Sequence, residues 1–152
     1  FGQCMERLSH FQEALCRARE DGVPILGICL GLQVLFDESE ESPGARGLGW
    51  INGRVVKLPA SVMIPQMGWN DLSIRRHVDM LDGIDDGDMF YFVHSYYGLP
   101  DDESVLVATV EHGVAVTAAV ATGNVFATQF HPEKSGAKGL RILENFVRDV
   151  SC

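Results

Sequence analysis

Apolar residues recur at intervals of three and four through Met5, Leu8, Phe11, Leu15 and Ala18, with Arg and Glu on the opposite side. That spacing predicts an amphipathic helix, and Asp21-Gly22 ends it. The unbroken apolar run over 23–28 predicts a buried strand. Beyond Cys29 apolar residues resume at helical spacing, predicting a second helix that closes in Asp37-Glu38-Ser39-Glu40-Glu41. Acids near a helix C-terminus oppose its dipole. They mark either a solvated helix end or a patch facing a partner.

Farther on, residues 48–51 and 54–58 flank Asn52-Gly53, the signature of a type I′ hairpin. Residues 64–72 read as extended chain broken by Gly68, and 82–88 as an acidic turn. Strands are predicted at 89–93, 105–110, 114–121 and 125–130, and their tight spacing is antiparallel in habit. A last helix over 137–150 places Leu140, Leu143, Phe146, Val147 and Val150 on one face. Helix and strand alternate early and strands cluster late, so the pattern predicts one α/β domain with an antiparallel extension.

Composition narrows the function. A formal net charge of -9 argues against a nucleic-acid backbone as partner. No run approaches the roughly 18 apolar residues of a membrane span, so no membrane role is expected. The four cysteines, Cys4, Cys16, Cys29 and Cys152, form no C-x-x-C pair and have no histidine at zinc-ligand spacing. A reducing cytoplasm is the compartment this suggests, with neither disulfide framework nor metal site.

The candidate chemistry centres on Gly27-Ile28-Cys29-Leu30-Gly31. A strand running into a helix through Gly-x-Cys-x-Gly has the form of a nucleophile elbow, with small residues where the backbone closes on itself. At a helix N-terminus Cys29 would be favoured as thiolate. The competing reading is a buried cysteine at a tight turn. A nucleophile needs a base, and the base needs an orienting group. Of the five histidines, His10, His77 and His112 fall on polar or turn positions and read as surface residues. His131 ends an apolar strand, where side chains reach the crevice of an open sheet. Pro132 keeps it extended, so Glu133, two residues on, would share its side and anchor the ring. Cys29, His131 and Glu133 thus form a candidate triad.

With those residues in view, the chain resembles the class I glutamine amidotransferases, the triad glutaminases. Gly27 to Gln33 and Phe130-His131-Pro132-Glu133-Lys134-Ser135 carry the likeness. Pro65-Gln66-Met67-Gly68-Trp69-Asn70 and Tyr91-Phe92-Val93-His94-Ser95-Tyr96-Tyr97 are similar, more narrowly, to the glutaminase subunits of imidazole glycerol phosphate synthases. The resemblance implies a flavodoxin-like α/β fold with a mostly parallel central sheet, residues 1–152 forming an amidotransferase type 1 domain. It implies that Cys29 attacks glutamine, with His131 as acid and base and Glu133 holding it. The Leu30 N–H would serve the oxyanion hole, and Gln33, Ser95 and Tyr96 the bound glutamine. Trp69, Asn70, Tyr91 and Lys134 would face a (β/α)₈-barrel cyclase that receives the ammonia in histidine biosynthesis. No cofactor or metal is implied.

Family members begin with a strand–helix–strand region and a Pro-Gly-x-Gly loop that donates a further oxyanion N–H. Phe1-Gly2 resembles the chain just after that loop, so the first strands are expected to be missing, and the chain as it stands to be weakly active or inactive. Rival readings are a glutaminase of another synthase (anthranilate, pyridoxal phosphate or GMP) and a non-catalytic subunit that only binds its partner.

Overall fold

The computed structural model describes residues 1–150, the last by its backbone alone; Cys152 and the Val150 side chain lie outside the described residues. The predicted first helix is two, α1 (Gly2–Leu8) and α2 (Gln12–Glu20), joined by a 3₁₀ turn at Ser9–Phe11. The break leaves Phe11 exposed, while Cys4, Met5 and Leu8 pack against a core. Then follow β1 (Ile25–Ile28), α3 (Leu30–Gln33), β2 (Phe36–Ser39), β3 (Ile51–Lys57), β4 (Gln66–Ile74), β5 (Met89–His94) and β6 (Tyr96–Pro100). The remaining elements are β7 (Leu106–Glu111), β8 (Ala115–Thr122), β9 (Val125–Thr128) and α4 (Gly136–Val150). No helix among the described residues is long and apolar enough to cross a membrane.

A six-stranded sheet runs β1-β9-β8-β7-β4-β5, and a three-stranded sheet runs β2-β3-β6. The class is α/β, as expected, but the mixture differs from a mostly parallel sheet. Only β1–β9 and β2–β3 pair in parallel; all other ladders between described strands are antiparallel. Alternation along the strands sorts side chains between two cores. Val125 and Ala127 of β9 join one with Phe36, Val55 and Leu32; Phe126 joins the other with Phe90, Phe130 and Ile142. The large sheet is therefore buried on both faces near the end of β1.

Three expectations fail for physical reasons. The second helix stops after four residues, because Leu32 to Phe36 are all buried and offer no polar face. Phe36 instead opens a strand, and two of the acids after it serve the backbone. Asp37 Oδ2 accepts from Gly53 N at 2.9 Å and Glu40 Oε2 from Lys57 N at 2.9 Å. Asn52-Gly53 is no hairpin turn but lies within β3, which has β2 on one edge and β6 on the other. Gly53 is needed because a Cβ there would lie 2.4 Å from the Leu99 carbonyl oxygen. Finally, α4 turns a different stripe inward. Gly139, Ile142 and Asn145 are buried, with Asn145 Nδ2 donating to Met80 O and Asp82 O, while Leu140 and Val147 are exposed.

Candidate active site

β1 and β9 run side by side in register, Ile28 beside Thr128, so both release their chains at the same end of the sheet. Cys29 N still donates to Thr128 O at 2.7 Å, which ties the start of the elbow to β9. The chain then reverses into α3, and Cys29 takes φ 52° and ψ -101°. It is the one non-glycine residue with positive φ among the described residues. Such a conformation costs on the order of 1–3 kcal/mol and persists only where the surroundings impose it. Gly27 is part of that imposition, since a Cβ on it would lie 2.8 Å from Gly31 O and 3.0 Å from Ala127 Cβ. Gly31 contributes its backbone rather than its lack of a side chain; a Cβ there would meet nothing.

Beyond β9 the chain stays anchored until it delivers His131. Gln129 N donates to Ala118 O, and the buried Phe130 ring packs 4.4 Å from Phe90 and 5.7 Å from Phe92 between ring centroids. His131 N then donates to Tyr91 O at 2.9 Å. Ser135, almost fully buried, locks the turn: its Oγ donates to His131 O and accepts from Tyr91 N. His131 Nδ1 lies 2.6 Å from Glu133 Oε1, the predicted pair. The cause differs from the expectation, because residues 132–134 form a 3₁₀ turn rather than extended chain. A donor Nδ1–H to Glu133 leaves Nε2 as the basic nitrogen of the neutral ring.

The Cys29 sulfur is held by a residue that sequence reasoning missed. Gln129 Nε2 donates to Sγ at 3.5 Å, and no hydrogen bond joins Sγ to His131. Gln129 Oε1 in turn accepts from Gln33 Nε2 at 3.1 Å, which also donates to Tyr96 O at 2.8 Å. The signal available in the sequence is a glutamine between Thr128 and Phe130 at the end of a largely apolar strand. The expected lowering of the thiol pKa is reversed. Burial pushes the Cys29 thiol above its ordinary value; the Leu30 N–H and the Gln129 amide pull it back, Glu133 raises it and Lys134 lowers it. A helix of four residues has too little aligned dipole to overcome that desolvation.

A family model described as Glutamine amidotransferase class-I matches residues 3–150. The chain belongs to the class-I glutamine amidotransferase family. It is 52% identical over 150 residues to a protein named imidazole glycerol phosphate synthase subunit HisH from Methanothermobacter thermautotrophicus, covering 99% of this chain and 75% of that relative. A protein of the same name from Methanocaldococcus jannaschii is 48% identical over 147 residues, covering 97% and 74%. The solved structure of PurLQS from Thermotoga maritima shares the fold, with a TM-score of 0.71 at 20% identity over 92% of this chain and 68% of that one.

In this amidotransferase the remaining predicted site residues separate into groups. Gln33 is buried with both amide hydrogens engaged, so in this state it holds Tyr96 and Gln129. Ser95 and Tyr96 are half-buried at the passage from β5 to β6. Trp69 and Tyr91 are cross-strand partners whose rings meet edge to face, centroids 6.2 Å apart. Asn70 alternates to the opposite face, where its Oδ1 accepts from Gln66. Lys134 is exposed on the turn after His131, and Trp69 reaches the neighbourhood of Gly136 just beyond it. Of the histidines read as surface, His10 and His77 are exposed, whereas His112 is half-buried with Nε2 bonded to Met63 O at 2.8 Å. His94 is the buried one. Its Nδ1–H donates to Tyr96 O, and neither its Nε2 nor Oε1 of its cross-strand neighbour Gln66 has a hydrogen-bond partner among the described residues.

Proposed function

We propose that this amidotransferase hydrolyses glutamine through Cys29, His131 and Glu133, and passes the ammonia to a (β/α)₈-barrel cyclase in histidine biosynthesis. The observation that carries this reading is the strained Cys29 elbow at the end of β1, beside the His131–Glu133 pair delivered by β9. The names of the relatives at about half identity supply the synthase.

The raised thiol pKa sets the order of events. The resting sulfur is mostly protonated, so His131 must take its proton as the two groups close together; catalytic contacts are often loose before substrate binds. The sulfur then attacks the side-chain carbonyl carbon of glutamine, and the Leu30 N–H supports the oxyanion. As the carbon–nitrogen bond breaks, His131 returns the proton to the leaving nitrogen and ammonia departs. Water, deprotonated by His131, cleaves the thioester to glutamate and restores the thiol. Glu133 keeps the ring oriented and stabilises its cationic form. Ser95, Tyr96 and Gln33 would line the glutamine site, Gln33 exchanging one of its present bonds for substrate.

The partner surface suits one face of β4 and β5. Met67, Trp69 and Met89 are 64%, 50% and 47% exposed, and register places them with Tyr91 on the same face. Aromatic residues and methionine are enriched at interface centres. Lys134 would add a charge at its margin.

The test is glutamine hydrolysis by the complete protein with and without the cyclase and its ribonucleotide ligand, with Cys29→Ala as control. Turnover that rises with the cyclase and vanishes in the control supports the reading. A reactive Cys29 indifferent to that cyclase would leave a glutaminase of another synthase.

A further inference from the structure

We propose that Gln129 is a positioning residue for the nucleophile, holding the Cys29 sulfur through its side-chain amide and coupling it, by way of Gln33, to the strand end that carries Ser95 and Tyr96. The inference rests on Cys29 being the nucleophile.

The orientation of this chain of amides follows from its far end. A backbone carbonyl only accepts, so the Gln33 atom 2.8 Å from Tyr96 O is its NH₂. That same NH₂ also faces Gln129 at 3.1 Å, so the Gln129 atom there is the carbonyl oxygen. The other end of the Gln129 amide, its NH₂, is thereby turned to the sulfur at 3.5 Å. Polarity set by one peptide carbonyl is passed through two side chains and obliges Cys29 to be the acceptor. A thiolate accepts far better than a thiol, so this donor's hold on the sulfur strengthens once Cys29 gives up its proton.

Core packing alone gives no reason for an amide here. Gln129 is fully buried beside Phe130, and an apolar side chain of its length would fill the space without a polar group to satisfy. Gln33 is likewise buried. The same link joins the nucleophile to the proposed glutamine site: a substrate that takes a Gln33 bond loosens the support of Gln129 and so frees the sulfur to leave its donor. The other groups acting on the sulfur are the Leu30 N–H, Glu133 and Lys134, which substitution at Gln129 leaves in place.

The experiment is the pH dependence of Cys29 alkylation by iodoacetamide in the complete protein. It is followed on the Cys29 peptide by mass spectrometry, so that Cys4, Cys16 and Cys152 do not contribute. Gln129→Met keeps the volume and removes the donor. Its alkylation midpoint should rise by about one pH unit, a tenfold smaller thiolate fraction at neutral pH. Gln129→Glu keeps an acceptor for Gln33 but turns an oxygen to the sulfur, and its midpoint should rise further. Thermal unfolding identifies any variant that does not fold. The wild type provides a reading that needs no variant: the Gln129 side-chain amide resonance should shift with the Cys29 titration midpoint and move on alkylation. An unmoved midpoint in a folded Gln129→Met protein, or an amide resonance indifferent to Cys29, overturns the proposal. None of these readings uses glutamine turnover. Their failure is therefore distinct from failure of the glutaminase reading, which loss of hydrolysis alone would signal.

Discussion

Protonation of His94 should destabilise this protein from within. The ring is 6% exposed, and its Nδ1–H is committed to Tyr96 O. A second proton would sit on Nε2, which has no partner among the described residues. Burial is the largest cause holding the pKa down to about 4 from 6.5; the Tyr96 carbonyl opposes it, and His112 and His131 add to it. Between those two values the unfolded chain binds a proton that the folded chain refuses. Stability therefore rises with pH across this window, is fully present above about 6.5, and is lost as pH falls toward about 4. The gap of about two and a half pH units is worth roughly 3 kcal/mol, a large share of the 5–15 kcal/mol typical of a domain. His94→Asn isolates it, because the asparagine amide can still donate to Tyr96 O and does not titrate. Urea unfolding between pH 4.5 and 7.5 should show the wild-type midpoint falling by about 1 M or more, and the variant's falling far less. Parallel curves for the two proteins, or an NMR titration of His94 near 6.5, would refute the reasoning.

Three further outcomes follow from contacts at the site. Glu133→Gln removes the charge facing His131 Nδ1 and lets the wrong tautomer form, so kcat for glutamine should drop by about 10²-fold with KM nearly unchanged; steady-state kinetics decides it. Gly27→Ala forces a Cβ to within 2.8 Å of Gly31 O and should cost about 1–3 kcal/mol, whereas Gly31→Ala meets nothing and should gain up to about 1 kcal/mol. Calorimetric melting points moving in the same direction would contradict the elbow geometry. Trp69→Ala removes a half-exposed ring, so melting should barely change while the proposed stimulation of hydrolysis by a cyclase should be lost in a paired assay.

Much of the site was legible because its signals are local. Strand, glycine, cysteine, glycine and helix former in succession specify an elbow, and His-Pro-Glu brings a carboxylate to its own histidine within one turn. Likewise, the antiparallel strands β7, β8 and β9 follow from alternation and tight turns. What failed depended on neighbours distant in sequence. The apolar run after Cys29 could be helix or strand until burial on all sides removed the helix's polar face. Asn52-Gly53 carried a turn signature, but the approach of Leu99 made the glycine a strand residue. Two apolar stripes on α4 competed, and the Met80 and Asp82 carbonyls chose the one bearing Asn145.

The sequence by itself determined the family, the α/β class and the candidate triad of Cys29, His131 and Glu133, since these rest on residue identity and short-range spacing. Only the tertiary structure decided the raised pKa of the Cys29 thiol and the neutrality of His94. It also brought in Gln129, 100 positions from Cys29 and 3.5 Å from its sulfur. Desolvation and hydrogen bonding are properties of the packed interior, and no local pattern of residues encodes what will surround a side chain once the sheet has formed.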